Sequence, residues 1–112
     1  MIEGFWVVRF RSNQELFGAG VVVLHKGHAY GGDSAYSYRG TYQVDDNGEM
    51  RAQLRIEEHT AGITGNVMGA IGDYDLELTG QVQAKRFNMD GRVAQDSSRK
   101  MQVELERKSD IA

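Results

Sequence analysis

Few residues in this 112-residue chain have the types and spacing that chemistry requires. His25 and His28 flank the dipeptide Lys26-Gly27. If that dipeptide is a two-residue hairpin turn, the two imidazoles are cross-strand neighbours. With a third ligand, His59 or Asp33, they could hold zinc. No third ligand stands at a defined spacing, so the expectation is that there is no metal. Glycines at 62, 65, 69 and 72 look at first like a phosphate-cradling loop. Such a loop ends in Gly-Lys-Ser/Thr, and no lysine occurs between Lys26 and Lys85. A nucleophilic site needs serine, histidine and carboxylate brought together. The serines fall in expected turns (Ser12, Ser34, Ser97, Ser98) or beside tyrosines (Ser37), without a nucleophile elbow. The expectation is a protein that is not an enzyme and has no cofactor.

Two further groups could serve binding. Trp6, Tyr30, Tyr36, Tyr38 and Tyr42 could line a ligand cavity, although a plain aromatic core is the favoured alternative. Asp45-Asp46-Asn47-Gly48-Glu49 is an acidic turn. It reads either as an ordinary polar hairpin or as a handle for a basic partner.

The elements that must position these residues are strands. With 14 glycines and no proline, a helical bundle would lose about 1 kcal/mol at each interior glycine. Instead, apolar and polar residues alternate with a period of two in segment after segment. Phe5–Arg11 sets Trp6, Val8 and Phe10 on one face, and Tyr36–Val44 sets Tyr36, Tyr38, Gly40, Tyr42 and Val44 on one face. Met50–Glu57, Asp73–Thr79, Phe87–Gln95 and Lys100–Arg107 alternate in the same way. Phe17–His25 is a strand with an apolar middle, and His28–Gly31 resumes after the Lys26-Gly27 turn. Asn47-Gly48 is a strong hairpin signal, since both residues tolerate positive φ.

About eight strands, each with one apolar and one polar face, predict an all-β closed antiparallel eight-stranded barrel. The domain is expected over residues 1–108, with a frayed tail at 109–112. His59–Gly72 lacks the alternation but carries Ile63, Val67, Met68 and Ile71. It reads as a loop over one mouth of the barrel.

Composition excludes some classes of partner. Thirteen basic and 16 acidic residues give a net charge of −3, a poor match for nucleic acid phosphates. The longest apolar stretch, Ala19–Leu24, is too short to span a bilayer as a helix. The N-terminus does not read as a secretory signal, and the absence of cysteine fits a reducing cytosol. The expected location is cytoplasmic.

The stretch Gly27–Tyr42 resembles the GrlR-type family of type III secretion negative regulators. The matching elements are Gly31-Gly32-Asp33, then an aromatic residue, then a glycine, directly before an acidic turn. Asp73-Tyr74-Asp75-Leu76-Glu77-Leu78 is a second match, and the first strand and the two closing strands line up in order and length. The resemblance implies a lipocalin-like up-and-down barrel and a bacterial cytoplasmic homodimer that sequesters a DNA-binding transcriptional activator. In the family an unbroken Glu-Asp-Glu-Asp run carries much of that contact. Here Asp45, Asp46 and Glu49 take its place, interrupted by Asn47-Gly48. Physically, Gly31 and Gly32 permit a sharp bend or bulge with positive φ, and Asp33 can accept backbone N–H bonds in the turn.

The resulting expectation is a negative regulator of transcription that binds a protein partner. Phe5, Val7, Val22 and Leu24 are expected on the face opposite the core, as a dimer interface. The alternative is a carrier with a small apolar ligand in the barrel. Cavity volume separates the two: a filled interior favours the regulator, and a few hundred Å3 of lined space favours the carrier.

Overall fold

Backbone hydrogen bonding and the alternation of apolar side chains are satisfied together when eight half-buried strands close on themselves. The computed structural model describes residues 2–13, 17–60 and 73–111. Their regular structure is strand throughout: β1 (Gly4–Ser12), β2 (Phe17–His25), β3 (His28–Gly32), β4 (Tyr36–Val44), β5 (Glu49–Glu58), β6 (Tyr74–Gln81), β7 (Arg86–Val93) and β8 (Asp96–Ser109). Each strand pairs antiparallel with the next, and β1 pairs with β8 to close the barrel. Among the described residues no helix is long and apolar enough to cross a membrane. The β5–β6 loop expected over a mouth lies largely at 61–72, outside the described residues.

In the six strands for which alternation names an inward face, β1 and β4–β8, that face is the one turned to the core. Trp6 and Val8, Tyr38 and Tyr42, Leu76 and Leu78, and Met101, Val103 and Leu105 are all buried. Val44, at the end of its strand, is 40% exposed. β2 departs from the expectation. Val22 and Leu24 are 5% and 2% exposed and belong to the core, not to an outer interface. Cross-strand partners share a face. Val22 pairs with Trp6 and so points inward, while Val21 and Val23 pair with Val7 and Phe5 and point out. Because residues 19–24 are apolar on both phases, periodicity alone could not choose between them.

The turns also differ in detail. Lys26 and Gly27 form the tight turn, with φ of 51° and 81°, and His25 and His28 pair across it. The Asn-Gly turn is wider. Asp45 N–H donates to the Glu49 carbonyl at 3.0 Å and Gly48 N–H to the Asp45 carbonyl at 3.0 Å. Only Gly48 there has positive φ (80°). β8 runs to Ser109, which pairs with Phe5, so the strand enters the segment expected as a tail.

Candidate functional site

The inward side chains do not fill the barrel. They leave a cavity of about 230 Å3. Its wall is apolar, drawn from Val22, Leu54, Leu76, Met89, Val103 and Leu105 among others. The two ends of this interior are built differently.

One end is sealed by Trp6, which is fully buried. Its ring meets Phe87 edge-on at 5.2 Å, and its indole N–H donates to the Ile2 carbonyl at 3.0 Å. Arg107 lies 4.6 Å from the centre of the Trp6 ring. The same guanidinium donates to the carbonyls of Ala84 and Glu3, each at 2.8 Å, and meets Asp110 at 3.0 Å. Arg107 therefore ties together the start of the chain, the β6–β7 connection and the end of β8.

The other end is polar and centred on Asp33, in the β3–β4 connection. Asp33 Oδ1 accepts N–H bonds from Ala35 (2.9 Å) and Tyr36 (2.8 Å), and Oδ2 accepts the Tyr38 hydroxyl. The Asp33 backbone N–H donates to Tyr36 O at 2.9 Å, and His59 Nε2 lies 2.9 Å from Asp33 O. Asp33, Ser34, Tyr36, Tyr38 and Tyr74 all line the cavity. Burial pushes the Tyr38 phenol far above its ordinary range, and the bond to the Asp33 carboxylate adds to the shift. Burial does the same to Tyr74, helped by the proximity of Tyr36 and Asp33. Both phenols therefore keep their protons at any physiological pH.

The aromatic residues singled out in the sequence divide three ways. Tyr38 and Tyr36 reach the cavity, Trp6 and Tyr42 are buried away from it, and Tyr30 points out and stacks on His28 at 6.1 Å. Gly31 and Gly32 do not need positive φ, contrary to the expectation, since neither is in that region. Gly31 is required by close approach, because a Cβ there would collide with the Val21 carbonyl. Asp33 does accept backbone N–H bonds as expected. Its place on the cavity wall was missed. The available signal was a carboxylate five residues before an inward tyrosine, across a short turn.

The acidic turn is largely engaged with itself. Asp45 Oδ1 accepts the N–H groups of Asn47 and Glu49, both at 2.9 Å. Glu49 pairs with Arg51 at 3.1 Å, while Asp46 is exposed. His25 lies 3.5 Å from Glu3. Among the described residues no group of three His, Cys, Asp or Glu side chains could hold a metal.

The outer surface is uneven. Over β4–β8 it carries ion pairs in ladders: Arg39–Glu57, Arg55–Asp75 and Arg92–Glu77, with Glu104 and Glu106 bridged by Arg9 and Arg86. Between Arg9 of β1 and the histidine pair at the β2–β3 turn, the outer face of β1–β3 is apolar. Phe5, Val21 and Tyr30 are 36%, 40% and 56% exposed, and the half-buried Val7 and Val23 lie among them by register. No protein-family model and no curated protein matches the chain.

Proposed function

We propose that this chain is a non-enzymatic regulatory barrel of the bacterial cytoplasm that acts by binding a protein, itself included, on the outer face of β1–β3. The observation that carries this reading is the apolar band of Phe5, Val21 and Tyr30, set beside strands whose outer faces are laddered with charge. Exposed apolar patches rimmed by polar residues mark interfaces. The resemblance to GrlR-type regulators supports the same reading, since the closed eight-stranded barrel it implies is the fold observed. On that resemblance the partner is a transcriptional activator, and the act is its sequestration. The acidic turn is the weaker docking candidate, because Asp45 and Glu49 already have local partners.

The test is light scattering together with capture of the activator from native lysate, using the wild-type chain, Val21→Lys and the triple variant D45N/D46N/E49Q. Val21→Lys is expected to abolish dimerisation and capture, and the triple variant to leave both in place. A wild-type chain that stays monomeric and captures nothing overturns the reading.

The cavity favours a second reading, the carrier. A filled interior would have removed it, and about 230 Å3 of apolar space does not. The interior and the outer face are opposite sides of the same strands, so both kinds of binding fit in one molecule.

A further inference from the structure

Given an interior that binds small molecules as in the second reading, we infer that its ligand is a compact, uncharged, apolar molecule carrying one O–H or N–H donor, and that it refuses carboxylates. Three observations lead there.

The first is size. A cavity of about 150 Å3 holds benzene. The interior here is half as large again, which suits a ligand whose enclosed part has roughly nine heavy atoms.

The second is charge. Asp33 is the one charged side chain on the cavity wall among the described residues. The residues outside that set, 1, 14–16, 61–72 and 112, include no lysine, arginine or histidine. A bound carboxylate would be stripped of water beside another carboxylate, with no cationic side chain on the described cavity wall to compensate.

The third is the direction of the hydrogen bonds. Tyr38 gives its only proton to Asp33 Oδ2. Toward the cavity its oxygen therefore offers lone pairs. Asp33, an acceptor on both oxygens, has the same polarity. The polar end of the interior thus offers acceptors in Asp33 and Tyr38 beside the hydroxyls of Ser34 and Tyr74, which donate or accept, and a donor on the ligand is met by the first two.

Isothermal titration calorimetry with three probes of nearly matched size tests this: 4-ethylphenol, 4-ethyltoluene, in which a methyl replaces the hydroxyl, and 4-methylbenzoate. The phenol is expected to bind about tenfold more tightly than the hydrocarbon, the worth of one buried hydrogen bond, and the benzoate to give no saturable heat. Asp33→Asn keeps an oxygen for the Ala35 and Tyr36 N–H groups while releasing the Tyr38 proton toward the cavity, so this variant is expected to gain benzoate binding. If the variant does not fold, the ranking on the wild-type chain decides alone. Equal affinity for phenol and hydrocarbon, or saturable benzoate binding by the wild type, overturns the donor rule while leaving the interior a binding site. No heat from any of the three overturns the rule and the carrier reading together.

Discussion

Each end of the barrel sets an aromatic side chain beside a charged one, for opposite purposes. At the sealed end an aromatic ring, a charged group and backbone carbonyls meet as Trp6, Arg107 and the carbonyls of Ile2, Glu3 and Ala84. At the polar end the set is Tyr38, Asp33 and the N–H groups of Ala35 and Tyr36. In the first, the ring is fully buried and the charge lies over it, so the group excludes water and holds three chain segments together. In the second, the charge and the phenols face open space within the barrel. Partnered polar groups next to unfilled volume are what a binding site requires, whereas partnered polar groups against a packed ring are what a staple requires.

That contrast predicts a hierarchy of effects. Trp6→Ala removes the largest fully buried ring and is expected to cost about 3–5 kcal/mol, read by urea unfolding; a loss below about 1 kcal/mol would mean that this end is not the staple. Arg107→Ala is expected to cost about 2 kcal/mol or more, from the charge-assisted bonds to two carbonyls and the contact with the indole face. Arg107→Lys recovers only part of this, because an ammonium cannot span both carbonyls from one position over the ring.

At the polar end the signature lies in pH. The folded pKa values of Tyr38 and Tyr74 are raised above the ordinary value of 10.0. Their contribution is therefore complete below that pH and is lost as pH rises through it toward the folded values. Stability measured against pH is expected to fall from about pH 10 upward, and Tyr38→Phe to make the fall shallower while costing about 1 kcal/mol at neutral pH. An unchanged alkaline limb in Tyr38→Phe would mean that this phenol is not held neutral by its surroundings.

The smallest effects belong to the acidic turn. Asp45→Ala is expected to cost about 1 kcal/mol, since two N–H groups lose their acceptor. Asp46→Ala should stay within about 0.5 kcal/mol. Equal effects in thermal melts would show that the Asp45 bonds do not organise the turn.

The division of the chain into strands was readable because polar and apolar residues alternate so strictly in β4–β8. Met50, Ala52 and Ile56 against Arg51, Gln53 and Arg55 leave one choice of inward face. Where both phases are apolar the information is absent. Val21, Val22, Val23 and Leu24 acquire their directions only from the register with Gly4–Val7, which is a tertiary fact. Both hairpins stand where their turn residues place them, and only the Asn47-Gly48 turn differs in backbone form from the expectation. Asn47 keeps negative φ because the Asp45 carboxylate organises a wider turn, while Lys26 takes the left-handed conformation beside Gly27. The polar end was the least readable part. Nothing in the sequence links Tyr38, a residue of the core or of a cavity wall, to Asp33, a turn residue or third metal ligand. Their meeting depends on the β3–β4 connection folding back so that a carboxylate reaches the phenol of the next strand.

The central claim is that the Asp33 end of the interior is where a ligand is held and the Trp6 end is a closed staple. Backbone and indole NMR spectra recorded during titration with 4-ethylphenol test it directly. Saturable shifts are predicted at the amides of Ala35, Tyr36 and Tyr38, with the Trp6 indole N–H unmoved. Shifts centred on Trp6 and Phe87, or on the outer residues Val21 and Tyr30 alone, would contradict the account.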